Sequence, residues 1–250
     1  MTQLLNCAMD IGEQLLVCGA EVHRVEDSVK RICDALGFVR TDVFIITSSM
    51  VVTVHDEKGN TCTQTRRIIA TGTDFERIHR LNALSRKICS EKLTVSQIQE
   101  ELTRIAETPS YPLWAECLFY ALISGAFTLF FGGGFIEAIV SFFIGGVARA
   151  AMWATDAMVA NKIFSKFLAS FTATALAFAA LKLGWVPTVD KMMIGIIMTL
   201  IPGIGLTNAL RDLFTGDSIA GLLRSIEAAL IALAIAAGYF LFVVLGGVVG

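Results

Sequence analysis

The sequence predicts an α+β cytoplasmic domain followed by an all-α membrane domain of about five transmembrane helices. Two observations set this expectation. Hydrophobic residues make up 55% of the 250 residues, above the roughly 45–50% usual in soluble domains. The charges are also unevenly placed. Most Asp, Glu, Lys and Arg precede Pro112, and long stretches after it carry none. The boundary is therefore set between a domain over 1–112 and a transmembrane domain over 113–250. With a net charge of −2 and no basic face, nucleic acid is not an expected partner. The six Cys form no C-x-x-C pair and read as reduced cytoplasmic thiols. The opening MTQLLNCAMDIGEQ has no basic n-region and meets Asp10 and Glu13 early, so it is not expected to be a signal peptide.

Apolar residues from Leu4 through Ile11, Val22 and Val29 to Leu36 alternate steps of three and four. They predict one long amphipathic helix over about 3–36, with Gly37 as its C′ residue and Gly19 as a point of bending or close contact. Runs rich in β-branched residues at Val43–Thr47, Met50–His55 and Thr61–Ile68 predict strands, with a turn at Asp56–Asn60. Asp74–Cys89 reads as a helix. Thr94 with Gln97 resembles a capping box opening a helix that runs to Ile105.

Five stretches then meet the requirement of about 20 mostly apolar residues for a span. They are Leu113–Phe131, Phe135–Trp153, Ile163–Leu183, Met192–Leu210 and Ile219–Val249. Only Gly132-Gly133-Gly134 separates the first two, so a re-entrant hairpin is an alternative to two full spans. Pro202 lacks an N–H and clashes with the preceding turn, so the fourth span breaks there, softened by Gly203 and Gly205. Ala169, Ala173 and Ala177, and again Ala228, Ala232 and Ala236, repeat at four, a spacing that lets helices approach closely in lipid. Arg149, Lys162, Lys166, Arg211 and Arg224 fall on the side of the N-terminus, against Lys182 and Lys191 opposite. This bias places the N-terminus in the cytoplasm and, with five spans, the C-terminus outside.

The polar groups of the second half are the candidate site. A broken apolar helix followed by ionisable side chains offers backbone to a solute and charges for coupling. Packing around a kink, followed by a charged loop, explains the same residues. Asn208 offers donors and an acceptor. Glu227 is a proton-coupling carboxylate, or else the partner of Arg224 or Arg211. Glu137 lies one turn past the glycine turn and is either interfacial or part of the site. Glu116 reads as interfacial, and Asp156 and Asn161 as loop residues. His23 and Glu26 face each other at a spacing of three, but His55 and His79 have no ligand spacing, so neither a metal nor another cofactor is expected. G-x-S-x-G, P-loop and G-x-G-x-x-G patterns are missing, and the chain is not expected to be an enzyme.

In order and spacing, several pieces together resemble the threonine/serine exporter family. They are GAEVHRVEDSV at Gly19–Val29, the strands after it, TRRI at Thr65–Ile68, and IPG, NALRD, GD and R-x-x-EA between Ile201 and Ala228. The resemblance covers nearly the whole chain. It implies an inner-membrane exporter of small polar metabolites such as threonine, serine or a dicarboxylate like succinate, driven by the proton-motive force. Longer members carry a second membrane half, so the resemblance also implies a homo-oligomer or a second, smaller membrane subunit. In this reading Pro202 and Gly203 expose backbone, Asn208 contacts solute, and Arg211 or Arg224 attracts a carboxylate. Asp212, Asp217, Glu227 and Glu137 carry the proton or pair with the arginines. The alternatives are a membrane-anchored regulatory or scaffold subunit, and a membrane-tethered enzyme acting near His23 and Glu26.

Overall fold

Gly19 divides the predicted first helix in two. In the computed structural model, which describes residues 1–69, 71–91, 93–109, 111–158 and 161–246, helix α1 covers Thr2–Val17 and α2 covers Val22–Ala35. Gly19 has φ +86°, a left-handed conformation that glycine adopts without a side-chain clash. A Cβ there would lie 2.4 Å from the Gly72 carbonyl oxygen. The Gly72 and Asp74 N–H groups donate to the carbonyls of Val17 and Cys18, at 2.6 and 3.0 Å. They satisfy helix-end acceptors that would otherwise be orphaned. The apolar stripe continues across the break because both helices face one core.

Three antiparallel strands follow in the order β1 (Arg40–Ile46), β2 (Ser49–His55) and β3 (Thr61–Arg67). Val43 faces Val52, and Val52 faces Gln64. Asp56 closes the β2–β3 turn by accepting from the N–H groups of Lys58 and Asn60. Arg66 of TRRI ties β3 to α1 through Asp10 and Glu13, at 3.3 and 3.5 Å. Helix α3 covers Phe75–Glu91 and α4 covers Val95–Ala106. The Thr94–Gln97 capping box is formed, and Gly37 is left-handed after α2 as expected. Leu5, Met9, Ile32, Met50, Leu81 and Ile98 are fully buried in the shared core.

The later helices are α5 (Leu113–Phe130), α6 (Phe135–Met158), α7 (Lys162–Lys182), α8 (Asp190–Leu200), α9 (Gly203–Thr215) and α10 (Ser218–Leu245). Four of them, α5, α6, α7 and α10, are long and apolar enough to cross a membrane. The bent pair α8–α9, turning by 57° at the break before Gly203, makes a fifth if counted as one span. The predicted helix break at Pro202 is thus present. Helices α5 and α6 are each long enough to cross a membrane, and a turn in which Gly132 is left-handed joins them. Residues 247–249 of the predicted fifth span lie outside the described residues.

The chain forms two compact units. One comprises Met1–Pro109 and Ile204–Ser225, the other Ser110–Gly203 and Ile226–Gly250. In the first, Ala220 of α10 joins the core of α1–α4 and the sheet. In the second, α5, α6 and α8 pack on one another through small residues. Added Cβ atoms at Gly145 and Gly195 would lie 2.8 Å from the carbonyl oxygens of Tyr120 and Ser124, respectively. The α7 stripe of Ala169, Ala173 and Ala177 is buried. On α10 only Ala228 of the predicted stripe is buried. Ile231, Ala234, Ile235 and Gly238 point inward, and the close approach falls at Gly238, where an added Cβ would lie 2.4 Å from the Phe167 carbonyl oxygen.

Candidate functional site

In the first unit, the α1–α2 turn meets the elbow between α9 and α10. Asn208, Arg211 and Asp212 are spaced three and four apart on α9 and share one face. Gly216, at φ +100°, reverses the chain, and the Asp217 N–H donates to the Asp212 carbonyl at 2.9 Å. Gly221 packs against Ala209 and Leu213 with no room for a side chain. This elbow brings Arg224 back beside Asp212, at 3.3 Å, with side chains only 12% and 1% exposed.

Four polar contacts join the elbow to the turn or lock it internally. Asn208 Nδ2 donates to the Gly19 carbonyl at 3.2 Å. An Arg224 Nη donates to the Ala20 carbonyl at 2.8 Å. Arg211 is paired with Glu21, and Arg224 with Asp212. Two separate stretches of sequence, GAEVHRVED and NALRD–GD–R, therefore form one ionic clamp. Asp217 is half-buried beside it, its Oδ2 without a hydrogen-bond partner.

Glu26 is one turn further along α2. It accepts the Ile45 N–H at 3.0 Å. Burial pushes its carboxyl above the usual range, the Ile45 hydrogen bond opposes this, and the charge of Asp217 adds to it. Such a group favours folding below its unfolded value, about 4.3, and that contribution is lost as pH rises through the raised folded value. A Gln side chain can accept the same hydrogen bond without a charge. Glu26→Gln is therefore expected to unfold at the same temperature as the wild type or higher at pH 7, with the difference vanishing near pH 4. Thermal unfolding at the two pH values checks this; a variant less stable at pH 7 than at pH 4, relative to the wild type, contradicts it.

The predicted site residues do not all gather in one place. Asn208, Arg211, Asp212, Asp217 and Arg224 belong to the first unit, whereas Pro202, Gly203, Glu137 and Glu227 belong to the second. Pro202 offers no N–H to the Met198 carbonyl, and the Gly203 N–H turns to Ile201 O at 2.9 Å. Glu137 is 5% exposed. It accepts the Gly134 N–H at 2.5 Å and the Thr188 hydroxyl at 2.9 Å, so it closes the glycine turn and ties it to the segment before α8. Glu227 is exposed on α10. The arginines weighed as its partners are engaged elsewhere, Arg224 with Asp212 and Arg211 with Glu21.

Two further polar groups of the second unit have no sequence signature. The hydroxyls of Ser124, Thr128 and Ser141 are fully buried and mutually hydrogen bonded at 2.7–2.8 Å, inside an otherwise apolar helix contact. Glu116, read from the sequence as interfacial, is paired with Arg149. Among the described residues, no group of three or more His, Cys, Asp or Glu is placed to hold a metal ion.

A family model described as "Putative threonine/serine exporter" matches residues 6–246. A "Probable succinate transporter subunit YjjP" of Klebsiella aerogenes is 26% identical over 98% of this chain and 93% of its own length. Its counterpart of the same description in Escherichia coli K12 is 25% identical over 96% and 93%. A "Threonine/serine exporter" of Corynebacterium glutamicum is 22% identical over 94% of this chain but only 50% of its own length. No solved structure matches. The family match takes in the clamp, the broken helix and every candidate span, and the chain is a multi-pass membrane protein that belongs to the threonine/serine exporter family.

Proposed function

We propose that this membrane exporter of small metabolites is a proton-driven secondary transporter that works with a second membrane subunit or as a homo-oligomer. The observation that carries the reading is the family match across both compact units. The proposed solutes are threonine, serine or a dicarboxylate such as succinate, in keeping with the descriptions of the relatives. A partner is supported by the word "subunit" in two of those descriptions. It is also supported by Glu227, a carboxylate exposed among the exposed apolar residues Leu223, Ile226 and Leu230 of α10. A charge facing lipid is costly and one facing protein is not. The lysine and arginine bias supports a cytoplasmic N-terminus, with residues 1–112 as the cytoplasmic domain. In this reading the clamp holds the elbow from which α9 and α10 depart, Asn208, Arg211 and Arg224 answer to the solute when it opens, and Glu227 carries the coupling proton with Glu137, Asp212 and Asp217 as further carboxylates. The chemistry is transport, not catalysis.

Inside-out vesicles holding this chain are expected to accumulate labelled serine, threonine or succinate when a proton gradient is imposed, alone or with the partner co-expressed. Glu227→Gln is expected to abolish the gradient dependence while leaving the protein folded. No accumulation of any of the three under either condition sinks the exporter reading; unchanged gradient dependence in the variant removes Glu227 from coupling.

A further inference from the structure

The second unit holds two cations whose donors are not all used. Arg149 lies on α6, its side chain 16% exposed. One guanidinium nitrogen binds the Glu116 carboxylate of α5. The other, Nη1, is buried and has no hydrogen-bond partner. The guanidinium carbon is 5.9 Å from the centre of the Tyr120 ring, a distance at which the ring face attracts the charge and helps fix the plane of the fork. Leaving a buried charged donor unmade is among the larger penalties a structure carries, and such a group calls for an explanation.

Lys166 is on α7. Its register is set one residue earlier, where the Ser165 hydroxyl meets the Thr155 hydroxyl at 3.0 Å and the Met152 carbonyl at 3.3 Å. The Lys166 ammonium is partly buried and makes no hydrogen bond or ion pair among the described residues. It lies close enough to Arg149 and Asp156 to feel both charges. The cluster thus has two cations, Arg149 and Lys166, and two anions, Glu116 and Asp156. One anion is consumed in an ion pair that uses only one side of its arginine.

We propose that Arg149 Nη1 and the Lys166 ammonium bind the carboxylate of the exported solute, with Glu116 and Asp156 facing its ammonium group. The inference rests on the exporter reading and deepens it by placing the solute among α5, α6 and α7. The charge pattern selects a zwitterion. An α-amino acid brings one carboxylate for the two cations and one ammonium for the two anions. A dicarboxylate would set its second carboxylate against Glu116 and Asp156, and like charges at close range disfavour binding. A guanidinium fork suits a carboxylate better than an ammonium does, so Arg149 fixes the orientation and Lys166 supplies further charge.

Binding is read on the purified full chain in detergent. Trp153 is one helical turn from Arg149, and Trp114 is two residues before Glu116, so tryptophan fluorescence reports on the cluster. Titration with L-serine or L-threonine is expected to give a saturable change, and succinate a weaker one. Lys166→Met removes no ion-pair partner, and Arg149→Lys keeps the charge facing Glu116, so both are expected to fold with unfolding midpoints near the wild type. Each should raise the Kd about tenfold or more, the loss expected for one charge-assisted hydrogen bond. Arg80→Ala, an exposed arginine on α3 in the other unit, should not. Wild-type affinity in both variants, or no saturable change with any of the three solutes, overturns the inference and leaves Arg149 as a staple between α5 and α6. Tighter binding of succinate than of the amino acids overturns the zwitterion assignment. Vesicle accumulation with unchanged KM in both variants sinks the site and spares the exporter reading. Amino-acid binding without accumulation sinks the exporter reading and spares the site.

Discussion

Arg224→Met is expected to destabilise the first unit by about 3 kcal/mol, the penalty for breaking a buried ion pair by removing one partner. Asp212 is 1% exposed, its carboxylate lies against the Val22 backbone N–H at the start of α2, and Arg224 is the cation beside it. The variant strands that carboxylate and also takes the donor from the Ala20 carbonyl. Met keeps the length and apolar stem, so lost packing contributes little. Arg211→Met removes a pair whose arginine is 52% exposed, and should cost under about 1 kcal/mol. The double variant Arg224→Met with Asp212→Leu should recover most of the loss, because an apolar pair of similar volume carries no stranded charge. A local probe lies beside the clamp. Cys18 is 3% exposed, and burial raises its thiol above the usual range, with Asp74 adding to the effect. Alkylation of Cys18 at pH 7.5, followed by mass spectrometry, should be slow in the wild type and in Arg211→Met and markedly faster in Arg224→Met. Equal rates and equal unfolding midpoints in the two single variants would show that the clamp does not hold the elbow to the turn.

The sequence patterns that depend on near neighbours were legible. The Thr94–Gln97 box, the left-handed Gly37, the Asp56 turn and the break at Pro202 each follow from residues within a few positions. The span bounds followed from long apolar runs. What escaped depended on distant partners. The break at Gly19 is set by the Gly72 and Asp74 N–H groups, more than fifty residues on, and the continuous apolar stripe hid it because both halves bury the same face. The clamp joins residues about 190 apart, such as Glu21 and Arg211. The sequence therefore showed the two patterns without showing that they meet. It also grouped Pro202 and Glu227 with residues of the other unit, since closeness in sequence stood in for closeness in space, and it added Glu137 for its depth in an apolar stretch, which says nothing of its distance from the rest. The Ser124–Thr128–Ser141 network was invisible for a different reason: small hydroxyl residues are common in apolar helices, and only packing reveals that three of them share hydrogen bonds.

That packing sets the second large effect. Gly195→Ala is expected to disrupt the α5–α8 contact and abolish export. A methyl group at Gly195 would lie 2.3 Å from Thr128 Oγ1, 2.7 Å from the Thr128 nitrogen and 2.8 Å from the Ser124 carbonyl oxygen. Two of these atoms are backbone and cannot rotate away, so the helices must separate. Overpacking of this kind typically costs about 1–3 kcal/mol. Here it also strains the Thr128 hydroxyl, which donates to Ser124 O at 2.9 Å and to Ser141 Oγ at 2.8 Å. In a membrane, where close helix packing substitutes for hydrophobic burial, that contact is not easily replaced. Gly203→Ala provides the contrast. Its added methyl would meet nothing within 4 Å, so helix propensity alone predicts a change within about 1 kcal/mol in the favourable direction. Vesicle transport and the unfolding midpoint in detergent should therefore fall sharply for Gly195→Ala and stay near wild type for Gly203→Ala. If instead Gly203→Ala impairs export with its stability intact, the glycine after Pro202 is needed for movement. If Gly195→Ala is tolerated, α5 and α8 have room to slide, and their contact is a moving part instead of a fixed one.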